Sequence, residues 1–325
     1  MYNVAVVGAT GVVGQMFLKV LEEYKFPIKN LKVFASEKSV GKEIVYDNKS
    51  YYIEALTNDC FKDIDIALFS AGGKISLEWA PIAEASGAVV IDNSSAWRMH
   101  SDCSLIVPEI NINDFLASRK IIANPNCSTI QSVLPLFALS KKFTLKRIDF
   151  STYQAVSGSG SKGLNDYRRT LNGEEPLFYP YDISKTCIPQ IDDFLDNGYT
   201  KEEMKMVNET RKILHNDHLA ITATCIRVPV EYGHGVNVVV EFEEEFALDD
   251  AKACFENQEG IVLLEGLPTS IHAMDNDMIY VGRVRQDLFN PHRLLFYCVA
   301  NNIRKGAASN AVQIALSLIK EGYLC

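Results

Sequence analysis

A cysteine occurs at a point in the chain where a thiol could act as a nucleophile. It is Cys127, in the run Asn-Pro-Asn-Cys-Ser-Thr. The run 120–123 predicts a short buried strand before it, and the apolar spacing of 128–143 predicts a helix after it. At such a corner, unpaired backbone N–H groups and the helix dipole favour a thiolate, the reactive form of cysteine. A buried packing cysteine is the alternative, but the proline and asparagine directly before the thiol favour the nucleophile.

A second stretch, 225–235, supplies a cation and a titratable ring. Arg227 lies in an otherwise apolar strand, where an unpaired guanidinium would be costly, and His234 follows between two glycines. A nucleophilic cysteine in a dehydrogenase implies an aldehyde substrate, and the reaction then requires a base and a charged clamp. A lone histidine is usually a surface or a satisfied core residue, but the nearby arginine favours a functional one.

Three further groups of residues have both a functional and a neutral interpretation. The Gly/Ser-rich run 153–160 follows a strand as a flexible loop that could close over a cofactor, or it is a polar turn. Arg98 follows a buried strand and binds an anion, or it is an ordinary exposed arginine. Glu209 and Lys212 lie three apart on a predicted helix, where a surface ion pair is the favoured interpretation from sequence alone.

The N-terminal segment contains a glycine loop between a strand, 3–7, and a helix, 11–24. Gly8, Gly11 and Gly14 are spaced three apart, as in a variant dinucleotide fingerprint. Such glycines allow a tight turn and a close backbone approach, and the helix N-terminus binds the pyrophosphate. Glycine triplets alone are weak signals, but the strand-loop-helix context favours dinucleotide binding over a simple turn.

The end of the second strand, 31–35, bears on the choice of cofactor. An NAD site usually places an acidic residue there for the ribose 2′-hydroxyl. Here the chain has Ser36, Lys38 and Ser39, whose donors and charge suit a 2′-phosphate, although Glu37 argues the other way. The sequence favours NADP, with NAD as the alternative and a solvated loop charge as the alternative for Lys38.

The composition is that of a globular protein. The 325 residues suffice for two modest domains, with 47% hydrophobic and 22% charged residues. The net charge of −9, with no basic run, argues against nucleic acid and anionic membranes as partners. No C-x-x-C pair occurs among the eight cysteines, so no metal site is predicted. We expect reduced thiols, no signal peptide and a cytoplasmic location.

The predicted elements give an α/β fold with two domains. Strands and helices alternate in the first part, which predicts a Rossmann-like, doubly wound parallel sheet. After residue 143 the strands become longer and alternate in polarity, which predicts a second, α+β domain on a mostly antiparallel sheet. The second-domain strands are predicted at 148–155, 221–230, 236–242, 278–284 and 294–299, with helices at 201–214 and 248–256, and a last helix at 307–320.

Together these motifs resemble the aspartate-β-semialdehyde dehydrogenase family, nearly from end to end. The matching motifs are Gly-Ala-Thr-Gly-x-Val-Gly at 8–14, Asn-Ser-Ser-Ala-x-Arg at 93–98, Val-Pro-Glu-Ile-Asn at 107–111, Asn-Pro-Asn-Cys-Ser-Thr at 124–129, Tyr-Gln-Ala-Val-Ser-Gly at 153–158, Glu-Thr at 209–210 with Lys212, and Arg-Val-Pro-Val with Gly-His within 227–234. The resemblance implies that Cys127 is the acyl-thioester nucleophile and His234 the acid/base.

The resemblance also implies the binding residues. Gln154, Glu209 and Arg227 would hold the amino-acid substrate, with Arg227 on its α-carboxylate. Asn126 would also bind the substrate, and Gln154 would also be a catalytic residue. Arg98 and Lys212 would bind phosphate. The implied NADP contacts are Gly8, Thr10, Gly11, Val12, Val13, Ser36, Lys38, Ser39, Ser157, Gly158 and Gln313.

The implied activity is the reversible, NADP-dependent reductive dephosphorylation of L-aspartyl-4-phosphate to L-aspartate-4-semialdehyde, in lysine, threonine and methionine biosynthesis. Residues 1–127, joined by a C-terminal helix at 305–325, would bind NADP, and 128–304 would form the catalytic and dimerisation domain. The implied partners are a small-molecule substrate and a second copy of the chain, as a homodimer or homotetramer.

Two residues depart from the family pattern. Gly235 stands where many relatives carry serine, and Lys38 stands where arginine is common, which weakens bidentate phosphate recognition. An N-acetyl-γ-glutamyl-phosphate reductase-like enzyme is one alternative, but it would carry a tyrosine in the glycine loop and Gly-Cys-Tyr at the nucleophile. A catalytically inactive regulatory or binding paralogue is another, but it would have lost Cys127 or His234.

Overall fold

The structure, a computed structural model, describes residues 1–324. The chain forms two compact units, one of Met1–Pro125 with the chain from Ala307 onward, and one of Asn126–Gly306. The strands are β1 (Tyr2–Val7), β2 (Ile28–Phe34), β3 (Glu43–Tyr46), β4 (Lys49–Tyr52), β5 (Ile66–Phe69), β6 (Val89–Asp92), β7 (Ser104–Leu105), β8 (Ile121–Ala123), β9 (Leu145–Gln154), β10 (Ala220–Arg227), β11 (His234–Phe242), β12 (Ile261–Leu263), β13 (Ile279–Gln286) and β14 (Arg293–Ala300). The helices are α1 (Val12–Glu23), α2 (Gly73–Ala85), α3 (Pro108–Asn111), α4 (Cys127–Ser140), α5 (Gly160–Leu171), α6 (Lys201–Ile213), α7 (Leu248–Glu256) and α8 (Ser309–Lys320).

The first unit is built on a parallel sheet of six strands in the order β2-β1-β5-β6-β8-β7. Strands β5, β6 and β8 are buried along their whole length, as their continuous apolar sequences require. Helices α1 and α8 contribute apolar side chains to the core on this sheet. The predicted Rossmann-like parallel sheet is confirmed.

The second unit is built on a mixed sheet of six strands in the order β10-β9-β11-β14-β13-β12. The three central pairs are antiparallel, and the outer pairs β10-β9 and β13-β12 are parallel. The predicted mostly antiparallel sheet is therefore confirmed. Helix α4 is buried along nearly all of its 14 residues. Across residues 1–324, no helix combines the length and apolar character needed to cross a membrane.

Some elements differ from the sequence prediction. The run 153–160, predicted as a flexible loop, forms a 3₁₀ turn at Val156–Ser159 that leads directly into α5. Val156 and Ser157 are buried in this turn. Helix α5 was not predicted, because it begins in a Gly/Ser-rich run and buries only four residues. The β3-β4 hairpin and the short elements α3, β7 and β12 were also missed, because two to four residues carry little periodicity.

Candidate active site

Three of the predicted site residues lie at the same end of three adjacent strands in the second sheet. Arg227 ends β10, Gln154 ends β9, and these two residues pair directly in the parallel register. His234 begins the antiparallel neighbour β11, where Gly235 pairs with Tyr153. Their three side chains are buried on the face that packs against α4 and α6. The sheet therefore brings an amide, a guanidinium and an imidazole together on adjacent strands.

Cys127 is the first residue of α4, so the prediction that it lies at a helix start is confirmed. The helix is capped by Asn126, whose Oδ1 accepts from the backbone N–H groups of Ser128 at 2.9 Å and Thr129 at 3.3 Å. Cys127 is half-buried. The backbone at Gly306 packs against it, because a Cβ there would lie 2.9 Å from Cys127 Cβ.

Three other cysteines of this unit, Cys225, Cys254 and Cys298, lie in surroundings that suppress the thiolate. Burial raises the pKa of the Cys298 thiol to about 12, and it also raises the pKa of Cys225 well above the usual range. Burial raises the pKa of Cys254 too, although this thiol is only half-buried. The positions of Cys225 and Cys298 in the core match the packing role that is usual for cysteine.

Glu209 is bound to the residue before the nucleophile. Its Oε2 accepts from the backbone N–H of Asn126 at 2.6 Å, and the residue is 1% exposed. The interpretation of Glu209 and Lys212 as a surface ion pair is therefore wrong for the glutamate, because α6 turns this face toward α4. Lys212 lies one turn further along α6 and is half-buried.

Glu202 is a buried carboxylate that the sequence analysis missed. Its Oε1 accepts from Asn126 Nδ2 at 2.8 Å and from Gln154 Nε2 at 3.2 Å, and its Oε2 accepts from Lys205 Nζ at 2.9 Å. Burial raises the pKa of this carboxyl, but the Lys205 charge and the hydrogen bonds outweigh burial and bring it to about 2. The only sequence signal was the capping box of Thr200 and Glu203, which marks a helix start and not a site.

The imidazole of His234 is fully buried. Its Nδ1 accepts from the backbone N–H of Ala155 at 2.9 Å, which assigns the ring proton to Nε2. Nε2 has no hydrogen-bond partner in residues 1–324. Burial lowers the pKa of His234 to about 3, and the nearby Arg227 charge lowers it further while Glu202 raises it. The ring is therefore neutral at pH 7 and carries its proton on Nε2.

This low pKa predicts how stability changes with pH. Because the folded-state pKa of His234 is below the unfolded value of about 6.5, the unfolded chain binds the extra proton, and stability is lost as pH falls below 6.5. Between pH 7 and 5 we expect the free energy of unfolding of the wild type to fall by about 2 kcal/mol more than that of His234→Asn. Urea unfolding at the two pH values measures the difference, and parallel losses would contradict it.

Arg227 is 4% exposed, and its Nη1 donates to the carbonyl of Ala155 at 2.7 Å. Gly158 packs directly on this group. A Cβ at Gly158 would lie 2.8 Å from Arg227 Nη1 and 3.1 Å from His234 Nε2. The guanidinium and the imidazole therefore share one glycine surface, formed by the turn that follows Gln154.

A methyl group at this surface is expected to disturb both side chains. Gly158→Ala should lower kcat by about 10- to 100-fold, because reacting groups displaced by a fraction of an ångström lose their alignment. Gly266→Ala is the matched control, since no atom lies within 4 Å of a Cβ at that position. Steady-state kinetics of the two variants checks this, and equal kcat values would show that the contact has no catalytic consequence.

The glycine loop of the first unit is packed too closely for side chains. A Cβ at Gly8 would lie 2.7 Å from Ser70 O, and one at Gly14 would lie 2.1 Å from Gly8 O. Position 8 also requires glycine because the backbone φ there is +90°. Gly11 caps α1 without a side-chain hydrogen bond. The loop thus leaves the helix N-terminus accessible to a pyrophosphate, and the residues present fit a dinucleotide.

The other predicted nucleotide contacts have different surroundings. Thr10 is exposed beside the loop, and Val12 and Val13 are half-buried at the start of α1. Ser36 and Lys38 are exposed, and Ser39 is buried, in a 3₁₀ turn after β2. Ser157 and Gly158 belong to the second unit. Gln313 lies on α8, and its Nε2 donates to Tyr24 Oη at the C-terminal end of α1, so its contact with NADP stays a prediction.

Arg98 is 7% exposed, so the interpretation as an ordinary exposed arginine is wrong. Its Nε donates to the carbonyl of Asn124 at 2.9 Å, and its Nη2 donates to the carbonyl of Asn93 at 3.0 Å. These carbonyls follow β8 and β6, so the guanidinium fixes two loops at the carboxyl edge of the parallel sheet. Its role in binding phosphate stays a prediction.

Two family models match the chain. Residues 3–118 match "Semialdehyde dehydrogenase, NAD binding domain", and residues 136–305 match "Semialdehyde dehydrogenase, dimerisation domain". The aspartate-semialdehyde dehydrogenase of Aquifex aeolicus is 47% identical over 338 residues and covers 99% of both chains. That of Campylobacter jejuni is 46% identical and covers 96% of both chains.

Solved structures are similar over the same length. Aspartate semialdehyde dehydrogenase II of Vibrio cholerae superposes with a TM-score of 0.95 at 44% identity, covering 99% of each chain. The structure of that enzyme complexed with ASA gives a TM-score of 0.94 at 43% identity. The likeness therefore covers both units.

Proposed function

The chain belongs to the aspartate-semialdehyde dehydrogenase family, and we propose that it converts L-aspartyl-4-phosphate reversibly to L-aspartate-4-semialdehyde with NADPH. The observation that carries the proposal is Cys127 at the first position of α4, in the unit that also holds Gln154, Arg227 and His234. For the domain roles we propose the nucleotide for residues 1–125 with the chain from Ala307 onward, and substrate and dimerisation for Asn126–Gly306. This division moves Cys127 from the predicted nucleotide bounds of 1–127 and 305–325 into the unit of its catalytic partners, which was predicted as 128–304.

The chemistry proposed for Cys127 is acyl transfer. Its thiolate Sγ attacks the acyl carbon of the aspartyl phosphate, the C–O bond to phosphate breaks, and phosphate leaves with the electron pair. NADPH, when bound, supplies the hydride that reduces the resulting thioester. The helix start, with its Asn126 cap, stabilises the thiolate both before attack and when the semialdehyde is released.

His234 acts through Nε2. The acid/base role predicted for His234 stays part of the proposal. Since Nδ1 accepts from Ala155, the neutral ring presents an N–H at Nε2, and this group donates to the substrate oxygen as negative charge develops. Arg227 holds the α-carboxylate, because a planar fork of donors matches a carboxylate. Gln154 and Glu209 hold the rest of the amino acid, and Arg98 and Lys212 hold the phosphate.

The cofactor, partners and location complete the proposal. NADP is favoured over NAD because Ser36, Lys38 and Ser39 follow β2 without a carboxylate other than the exposed Glu37. We propose a homodimer formed by the second unit, which includes the whole of the matched dimerisation domain, residues 136–305. We also propose a cytoplasmic enzyme with no nucleic-acid or membrane partner.

A spectrophotometric assay tests the function directly. The purified protein is given L-aspartate-4-semialdehyde, phosphate and either NADP or NAD, and reduction of the nicotinamide is followed by absorbance. We expect turnover that requires phosphate, with a higher kcat/KM for NADP. Absence of turnover would contradict the reaction, and equal or better use of NAD would contradict the cofactor choice alone.

The two anion sites should respond differently to mutation. Arg227→Leu is expected to lower kcat/KM for the semialdehyde by roughly 30- to 5000-fold, since losing a buried charge-assisted contact costs about 2–5 kcal/mol. Lys212→Leu and Arg98→Leu should instead raise the KM for phosphate. Both constants are measured at saturating NADP, and a reversed pattern would overturn the assignment of the sites while leaving the enzyme class intact.

A further inference from the structure

The position of His234 depends on two segments, one that contacts its ring and one that leads into it along the chain. The first is the turn after Gln154, which donates to Nδ1 through Ala155 and touches the ring through Gly158. The second is the segment 230–233, which leads into the histidine. Backbone hydrogen bonds join the segments at one end, from Val156 N–H to Val230 O at 2.8 Å.

A single side chain, Asn302, connects the same two segments at the other end. Its Nδ2 donates to Ser157 Oγ at 2.9 Å, and its Oδ1 accepts from the backbone N–H of Gly233 at 2.9 Å. Asn302 comes from a third segment, just after β14, and is 2% exposed. Its amide thus contacts the residue before Gly158 and the residue before His234.

The backbone at Gly233 has little freedom to find another hydrogen-bond partner. Gly233 has φ +87°, and a Cβ there would lie 2.7 Å from Ser270 Cβ, so the chain makes a tight, fixed turn at this point. Its N–H lies in a buried contact with Asn302 Oδ1. Losing the amide would leave a buried donor unsatisfied and let the segment shift.

We propose that Asn302 is a positioning residue for His234, holding the two segments so that the Ala155 N–H meets Nδ1 and the proton stays on Nε2. The proposal rests on the catalytic role proposed for His234. It does not place Asn302 in contact with substrate or cofactor. Asn302 would act on kcat, through the alignment of the ring, and not on the binding of substrate.

The neighbouring Asn301 provides a matched control. It is also buried, at 3% exposure, and its side chain also makes backbone contacts, donating to Met274 O at 2.7 Å and accepting from Ile303 N–H at 3.0 Å. None of these contacts reaches the segments around His234. Asn301→Ala therefore removes a comparable buried amide without releasing the ring.

The experiment compares Asn302→Ala, Asn301→Ala and His234→Asn in the full-length enzyme. We expect Asn302→Ala to lower kcat by about 10- to 50-fold with each KM within about 3-fold, and Asn301→Ala to keep kcat within about 3-fold. Nitrogen-15 NMR of labelled histidines, with His234 assigned by its loss in His234→Asn, should show protonated Nε2 in the wild type. That signal should move in Asn302→Ala and stay in Asn301→Ala.

Two results would overturn the proposal: equal losses of kcat in the two asparagine variants, or an unchanged His234 signal in Asn302→Ala. An active His234→Asn would instead overturn the proposed role of the histidine. If Asn302→Ala does not fold, Ser157→Ala removes one arm of the contact. At saturating NADPH it should lower kcat by about 3- to 10-fold and move the same signal, and failure to move it would also count against Asn302.

Discussion

Replacement of Cys127 by serine is expected to lower kcat by roughly 10⁴-fold or more, because removing the nucleophile removes the covalent step itself. A serine hydroxyl fits the same volume but is almost entirely protonated at neutral pH, and a helix N-terminus does not compensate for that difference. The fold, the Asn126 cap and the affinity for NADP should be retained, since none depends on the sulfur. Steady-state kinetics together with NADP titration separates the two effects.

Cys254→Ser is the control for this experiment. Cys254 is half-buried like Cys127, but it lies on α7, and burial raises its thiol pKa. Its replacement should leave kcat within about 2-fold. A Cys127→Ser enzyme that keeps a rate near the wild type would exclude the thioester route.

The second large effect is expected at His234. His234→Asn should lower kcat by about 10²- to 10⁴-fold, the range typical of a positioned acid or base. Asparagine places an acceptor oxygen near the position of Nδ1, so the hydrogen bond from Ala155 can be kept, while the donor at Nε2 is lost. The loss should therefore fall on kcat, with little change in folding at pH 7.

His272→Asn serves as the matched control. This histidine is exposed, and its hydrogen bonds within residues 1–324 are with Thr269 and Asn276. We expect its kcat to stay within about 2-fold of the wild type. If the two variants were equally active, an acid or hydrogen-bond donor other than His234 would have to be sought.

The sequence is sufficient to predict a structural feature when the residues that define it follow one another in the chain. The glycine loop and the corner at Cys127 each depend on a strand, a few turn residues and a helix that follow one another in the chain. The apolar runs 64–70 and 89–92 also predict buried parallel strands without knowledge of their neighbours, and the observed strands are Ile66–Phe69 and Val89–Asp92. These features were therefore predicted to within a few residues.

Strand register and side-chain partners could not be predicted in this way. That Arg227 pairs with Gln154, and that His234 begins the next strand, depends on which strands are adjacent in the sheet. Glu202 and Asn302 gave no signal, because an acidic helix start and an asparagine after a strand are common. Their importance arises from partners 48 to 145 residues away in the chain.

The burial of Glu209 and Arg98 could not be predicted from the sequence either. Each has a charge that would ordinarily be solvated, so the sequence favoured a surface position for the glutamate and allowed one for the arginine. Both are buried because backbone groups elsewhere in the chain bind them, at Asn126 for Glu209 and at Asn93 and Asn124 for Arg98.

Formation of an acyl-enzyme on Cys127 is the direct test of the covalent mechanism. The wild type is mixed with L-aspartate-4-semialdehyde and NADP in the absence of phosphate, and the reaction is quenched for peptide mass spectrometry. We expect a burst of about one NADPH per active site and an aspartyl adduct on the peptide containing Cys127. No burst and no adduct, or an adduct only on another residue such as Cys225, would contradict it.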